Sequence, residues 1–428
     1  MEKLFKQLTF LQFLYVIVTF GLFVFCLSNA PLISPDSQGY IEMDIIRSAG
    51  YSVFLNIHKL IFKNYYLNAV VISQLFFCLF SIFFLLKSLS QTLQYKKEYL
   101  FLIFLILCVP IIYEHKIANS ILSEGLAYPL YLLAIGTFLQ ASILNKFKFF
   151  YFAAFITFLL IQVRGQFLFL IPLFLICFLL FEIKKLKAKK YIVLITLLTC
   201  IPFLSVFVDV LYHKIKHNQA TTTPWTGVQI AAIPFFVSNK NDSLIFDEPN
   251  QKAYFNLIYS KLEQKKLLLK FIPKENYSTV DFYSERYVAI ANGTINEEGE
   301  KFFKPSFSIN EKTILNNKMA SSMTLPLIKK NFFKFCKLYF QNVIKGIGTS
   351  KYFILIIILL ILSVLKWYES NDKNAKFIII GSLALLGNVF IVAFAEPTII
   401  RYVFYNDWIL IAIVLLLFQN TFSIKTND

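Results

Sequence analysis

Residues 7–35 read QLTFLQFLYVIVTFGLFVFCLSNAPLISP and contain no charged side chain. The run is longer than the apolar part of a signal peptide, and no small-residue cleavage site follows it. A helix needs about 20 apolar residues to cross a bilayer, and this stretch supplies them. We therefore expect a permanent membrane anchor here.

The rest of the chain has the same apolar character. Of its 428 residues, 57% are hydrophobic and only 16% are charged, and the mean hydropathy is +0.63. A soluble domain carries about 25% charged residues, so this composition excludes an ordinary soluble globule. The chain has 42 Lys and Arg but only 25 Asp and Glu. Such a basic excess has two possible sources: cytoplasmic loops rich in Lys and Arg, or a site for an anionic ligand. We expect no nucleic-acid partner.

Ten apolar runs with little or no charge predict the fold class, an all-α polytopic membrane protein with about ten transmembrane helices. The runs are residues 9–26, 65–86, 99–113, 120–144, 149–163, 166–181, 191–212, 352–365, 377–395 and 407–422. One large extracytoplasmic insertion separates helices 7 and 8. The sequence thus divides into an N-terminal transmembrane module (1–212), the insertion (213–350) and a C-terminal transmembrane module (351–428).

Charge decides the predicted sidedness. Residues 149–181 could form one long helix through Arg164 or two short helices that meet there. Lys146 and Lys148 precede this stretch, and Lys189 and Lys190 follow it. Because Lys and Arg favour cytoplasmic loops, both flanks are expected inside, with Arg164 at the outer tip of a hairpin. The same rule predicts a multi-pass plasma (inner) membrane protein with both termini in the cytoplasm and the insertion outside.

Two polar segments outside the spans have a pattern of their own. The first outer loop, residues 30–64, is expected to hold juxtamembrane helices. The end of the insertion, Leu325 to Lys345, mixes five lysines with Phe, Leu and Tyr and contains no acid. This pattern predicts a basic amphipathic helix on the outer leaflet. The alternative is a solvated helix of the insertion.

Ionisable residues at the predicted outer edges of the spans form the candidate site. Helix amino ends and arginine forks both favour phosphate, so a lipid-linked phosphate headgroup fits this edge. Transfer of a sugar from such a lipid needs a carboxylate that takes the acceptor proton, and Asp36 fits that role. The candidate phosphate-binding residues are Arg47, Arg164 and Arg401. Supporting residues are expected at Tyr40, Glu114, His115, Glu124, Glu396 and Tyr402.

These residues carry a family pattern. Asp36-Ser37 with Tyr40, the segment RSAGYSVFL at 47–55, Ser123-Glu124, Arg164 and Arg401-Tyr402 together resemble the GT-C membrane glycosyltransferases. The resemblance is strongest to the bacterial branch related to protein O-mannosyltransferases and the lipid A aminoarabinose transferase. It covers the first two hundred residues and about the last thirty.

The resemblance implies a polyprenyl-phosphate sugar donor and an inverting transfer at the outer face of the plasma membrane. The acceptor would be the hydroxyl of a glycan, lipid or protein. Asp36 would occupy the position of the catalytic acid in the first outer loop. It is followed by Ser rather than by a second acid, so the motif does not indicate a bound divalent metal, although one is compatible with the family.

Each of these signals has an alternative explanation. Asp36 is also the kind of residue that caps a helix, and Arg164 could extend to the lipid headgroups. Glu124 could form a purely structural pair with Lys116 or His115. At the level of function, the alternatives are an envelope polysaccharide polymerase or ligase and, from another class, a lipid or solute transporter.

Overall fold

A computed structural model describes residues 9–113, 116–182, 188–273 and 277–424. The fold is 83% helical, and the described residues include no β-strand. In this part of the chain, eight helical segments are long and apolar enough to cross a bilayer. The architecture is that of a helical polytopic membrane protein, as predicted.

The helices follow one another with short connections. In chain order they are α1 Phe10–Ser28, α2 Pro35–Glu42, α3 Ala49–Phe62, α4 Tyr66–Leu93, α5 Lys97–Ile112, α6 Glu124–Leu144, α7 Lys148–Val163, α8 Leu170–Glu182, α9 Lys189–His217, α10 Thr226–Val237, α11 Pro249–Gln264, α12 Thr279–Ile290, α13 Glu297–Glu300, α14 Ile309–Lys330, α15 Phe332–Ile347, α16 Ser350–Ser370, α17 Lys373–Ala395, α18 Ile400–Val403 and α19 Asp407–Ile424. Two of the ten predicted spans, 99–113 and 149–163, correspond to α5 and α7. Each of these helices has 16 residues, which is short for a full crossing. The other eight predicted runs overlap the eight membrane-length segments.

The chain divides into two compact units. The first comprises Met1–Asp209, Ile356–Gly387 and Phe404–Asp428, and the second comprises Val210–Leu355 and Asn388–Val403. The second unit therefore contains the predicted insertion together with a short segment from the C-terminal part of the chain.

Helix α6 lies at the centre of the first unit. Of its membrane-length stretch, 94% is buried, and its largest interfaces are with α4 and α7. Gly136 makes the close approach to α4 possible, because a Cβ there would lie 3.1 Å from the Phe84 ring. By contrast, only 11% of the corresponding stretch of α1 is buried. An apolar surface exposed to this extent is stable where lipid replaces water.

The junction between α7 and α8 confirms that residues 149–181 form two helices. Helix α7 ends at Val163, and Arg164 adopts an extended conformation with φ −150°. A 3₁₀ turn over Gly165–Phe169 then leads into α8. Arg164 thus lies at the junction between α7 and the 3₁₀ turn that leads into α8.

The second unit has an aromatic core of its own. Phe235 and Phe236 from α10, Tyr254 and Phe255 from α11, and Tyr283 from α12 are fully buried there. The hydroxyl of Tyr254 donates a 2.7 Å hydrogen bond to Oδ1 of Asn316, so this buried polar group is satisfied.

The stretch Leu325–Lys345 forms parts of two helices rather than the single predicted helix. The break falls at Asn331, which has φ −112° and ψ 33°. The Nδ2 of Asn331 donates a 2.7 Å hydrogen bond to Oδ2 of buried Asp242, and this long-range bond coincides with the end of α14. Asn is suited to such a break because its short side chain forms hydrogen bonds that compete with the helix.

Candidate active site

Asp36 lies in the first turn of α2, but it is not the residue that caps this helix. Ser34 occupies the N-cap position, its backbone N–H donates to Oγ of Ser37 at 2.9 Å, and Pro35 begins the helix. The carboxylate of Asp36 instead accepts a 2.9 Å hydrogen bond from Nη2 of Arg47, and its side chain is 38% exposed. The capping explanation for Asp36 is therefore wrong.

Arg47 folds back over the α2 segment. Its guanidinium carbon lies 4.8 Å from the centroid of the Tyr40 ring. Gly39 makes room for it, because a Cβ at that position would lie 2.8 Å from Nε of Arg47. Burial alone would lower the pKa of Arg47, but the neighbouring Tyr40 and Asp36 raise it above its usual value. The guanidinium is therefore a permanent cation.

Asp44 adds a second carboxylate to the same loop. Its backbone N–H donates to the carbonyl of Gly39 at 2.8 Å, which closes the loop after α2. Burial and the charge of Glu42 raise the pKa of Asp44, and the opposing charge of Arg47 reduces that shift. Arg47 therefore balances two acids of the first loop.

A second ion pair joins α6 to the corner after α7. Nη1 of Arg164 lies 2.7 Å from Oε1 of Glu124, and the two side chains are only 13% and 2% exposed. Arg164 is thus a partner of Glu124, while the predicted His115 and Glu114 lie outside the described residues. Because Arg164 is largely buried, it does not extend freely into a headgroup layer.

Tyr40 and Ser123 connect the two ion pairs. The hydroxyl of Tyr40 donates to Oγ of Ser123 at 3.2 Å, and Nη1 of Arg164 donates to the same Oγ at 3.3 Å. Since Tyr40 also lies against Arg47, a continuous polar chain runs from Asp36 to Glu124. We call these six residues the polar cluster: Asp36, Tyr40, Arg47, Ser123, Glu124 and Arg164.

Hydrogen bonds between neighbouring segments hold the polar cluster in place. The hydroxyl of Tyr51 donates to Oε1 of Gln74 at 2.9 Å, and Nε2 of Gln74 donates to the carbonyl of Ala118 at 2.9 Å. On the other side, Oγ of Ser48 donates to the carbonyl of Val163 at 2.9 Å. These bonds tie the segments that carry Arg47, Glu124 and Arg164 to one another.

Three other predicted site residues belong to the second unit. Nε2 of Gln229 donates to the carboxylate of Glu396. The guanidinium carbon of Arg401 lies 5.8 Å from the ring centroid of Tyr402, whose carbonyl accepts a 3.2 Å hydrogen bond from Asn388.

Sequence reasoning did not select Ser123, Tyr51 or Gln74 as site residues. Ser123 had a usable signal, since it directly precedes Glu124 at the start of a span. Tyr51 lies in the segment 47–55 that carries the resemblance. Gln74 had no signal, because a Gln inside an apolar helix has many structural explanations. Among the described residues, no three His, Cys, Asp or Glu side chains are grouped closely enough to hold a metal ion.

Comparisons with known proteins found no similar protein. No family model matches the sequence, no curated protein matches it, and no solved structure matches the fold.

Proposed function

We propose that this chain is a GT-C type membrane glycosyltransferase that moves a sugar from a polyprenyl-phosphate carrier to an acceptor hydroxyl. The observation that carries the proposal is the polar cluster, which joins two carboxylates and two arginines at the ends of four helices. A reaction on a phosphate-linked sugar requires these groups together: a proton acceptor beside cations that hold a leaving phosphate.

In the proposed reaction, the acceptor oxygen forms a bond to C1 of the sugar while the bond between C1 and the phosphate oxygen breaks. The acceptor proton passes to the carboxylate of Asp36, and polyprenyl phosphate leaves. Both cluster acids are paired with an arginine, but Asp36 is the better base because its side chain is 38% exposed, whereas that of Glu124 is 2% exposed. Glu124 serves to position Arg164.

Arg47 and Arg164, which both belong to the polar cluster, would hold the phosphate. A guanidinium suits this role because its planar fork matches phosphate oxygens and stays charged at any physiological pH. The 2.9 Å contact between Arg47 and Asp36 places the cation and the base close enough to touch the same sugar phosphate. Tyr40 fixes Arg47 from the opposite side.

The proposal includes a location. By the distribution of lysines, the protein lies in the plasma membrane with the polar cluster at the extracytoplasmic face and both termini in the cytoplasm. Residues 1–8 and 425–428 lie outside the described residues, so the predicted position of the termini depends on charge alone.

The test uses the full-length protein in proteoliposomes with polyprenyl phosphates that carry different radiolabelled hexoses, hexosamines and pentoses. Cell envelopes of a strain that lacks the gene supply the acceptor. One of these donors is expected to bind and to lose its sugar. Asp36→Asn should still bind this donor but transfer about 10²–10⁴-fold more slowly, the usual contribution of a general base.

Glu42→Gln is the matched control, because Glu42 lies on the same short helix but is exposed. It should retain wild-type transfer. Near-normal transfer by Asp36→Asn would remove Asp36 from the base role, and failure to bind any lipid-linked sugar would refute the proposal. A product ladder of repeat units would favour the polymerase alternative.

A further inference from the structure

The end of α14 and the outer side of α15 form an exposed surface of lysine and large apolar side chains. We call it the basic aromatic face. Its members are Leu325, Lys329, Lys330, Phe332, Phe333, Lys334, Lys337 and Phe340, all of which are exposed. No acid occurs between residues 325 and 345, so the positive charge of this face is not balanced locally.

The orientation of α15 is fixed by its opposite side. Phe335, Leu338 and Asn342 are buried, at positions spaced by three and four residues. Nδ2 of Asn342 donates to the carbonyls of Ala393 and Glu396, at 3.1 and 2.8 Å. A helix anchored in this way cannot rotate to bury its outer side as well, so the exposure of the basic aromatic face is part of the fold.

Water is a poor solvent for this face. Phe333 is 86% exposed, and Phe332 and Phe340 are about half exposed, so adjacent rings contact solvent along one helix side. A large exposed apolar patch with charged residues at its rim is typical of a surface that binds a partner or a membrane. Phenylalanine rings beside lysines fit the boundary between acyl chains and headgroups, where the rings are buried and the ammonium groups reach the phosphates.

The connection of α15 to the next helix indicates that the partner of this face is the bilayer. Helix α15 ends at Ile347, and α16, one of the eight candidate membrane spans, begins at Ser350. Gly348, with φ +103°, makes the turn between them, a conformation that other residues rarely adopt. The covalent connection therefore holds the end of α15 at the membrane boundary, whichever side of the bilayer this is.

We propose that the basic aromatic face binds the bilayer surface, with its lysines on the headgroups of acidic phospholipids. The ring of Phe333 lies below the headgroup level, and Lys329, Lys330, Lys334 and Lys337 lie at that level. This inference does not depend on the proposed sugar transfer, because it uses none of the residues of the polar cluster.

The test is a depth measurement by spin labelling of the full-length protein in liposomes. Cys200→Ser and Cys336→Ala remove the accessible thiols, and single labels are then placed with Phe333→Cys or Phe340→Cys. Ser306→Cys, at an exposed loop position of the same unit, is the control. Labels at 333 and 340 should collide with oxygen more often, and with a water-soluble nickel complex several-fold less often, than the label at 306.

Lipid composition tests the contribution of charge in the same labelled proteins. Phosphatidylglycerol at about one third of the lipid should move the labels at 333 and 340 deeper than pure phosphatidylcholine does. Replacing all four lysines with Gln should abolish this difference. Nickel accessibility at both positions equal to that at 306 would overturn membrane binding, and equal depth in both lipids would overturn the acidic-headgroup assignment.

Discussion

At the scale of single residues, the two paired acids of the polar cluster differ in one respect that decides their roles. Asp36 is 38% exposed and Glu124 is 2% exposed, although each contacts one arginine at less than 3 Å. A partly hydrated carboxylate can exchange its partner for a substrate at small cost. A buried one cannot, because loss of its cation leaves an uncompensated charge.

This difference predicts unequal effects on stability. Arg164→Gln should destabilise the protein by about 3–5 kcal/mol, the usual result of breaking a buried pair from one side. Arg47→Gln should cost much less, because Asp36 stays hydrated after its partner is removed. Thermal unfolding of both variants in the same detergent measures the difference.

The double variant Glu124→Gln, Arg164→Gln provides the check. A neutral pair leaves no buried charge, so the midpoint temperature should recover most of the loss caused by Arg164→Gln. If Arg47→Gln is as damaging as Arg164→Gln, or if the double variant is no better than the single one, burial of the second ion pair is not what stabilises this region.

At the scale of elements, the polar cluster is built from helix ends. Asp36 and Tyr40 lie on the short helix α2, Glu124 begins α6, and Arg164 follows the last residue of α7. Helix ends leave backbone groups unpaired and admit side chains between neighbouring helices. Sites formed in this way depend on how closely the ends approach, which is set by small residues.

Gly50 is one such residue, at the start of α3. A Cβ at this position would lie 2.7 Å from the carbonyl oxygen of Gln162 in α7, a backbone atom that can move only together with the helix. Gly50→Ala should therefore push α7 away and shift Arg164, with a loss of about 1–3 kcal/mol from overpacking. A lower unfolding midpoint and weaker donor binding are the expected readouts.

Gly165→Ala is the matched control, since a Cβ at Gly165 would meet nothing within 4 Å. It lies next to Arg164 and should leave both readouts near the wild-type values. Equal effects of the two substitutions would show that the approach of α3 to α7 does not limit the position of Arg164.

At the scale of the whole molecule, the proposed function requires one orientation of the chain in the membrane. The second unit should lie outside the cell, and the connection between α16 and α17 should lie inside. In a chain without Cys200 and Cys336, Ser306→Cys should react with a membrane-impermeant maleimide in intact cells. Asn371→Cys should react only after permeabilisation. Labelling of both positions in intact cells would contradict the proposed sidedness.

Much of the architecture could be predicted from local sequence. The apolar runs became helices at the expected places, and the meeting of two helices at Arg164 followed from the lysines on either side. Such features depend only on the composition of a short segment, because an apolar segment of sufficient length is stable as a helix in the bilayer whatever the rest of the chain does. The single helix predicted over Leu325–Lys345 was wrong because Asn331 bonds to Asp242, a residue far away in the chain.

The sequence by itself indicated a helical membrane protein, the positions of most of its apolar helices, and which polar residues lie at their ends. Only the tertiary structure decided which of those residues meet: Arg164 rather than Lys116 pairs with Glu124, Ser34 rather than Asp36 caps α2, and Tyr40 connects the two ion pairs. The physical reason is that a helix is stabilised by contacts between residues three or four apart. An ion pair between helices depends on packing distances that no single segment encodes.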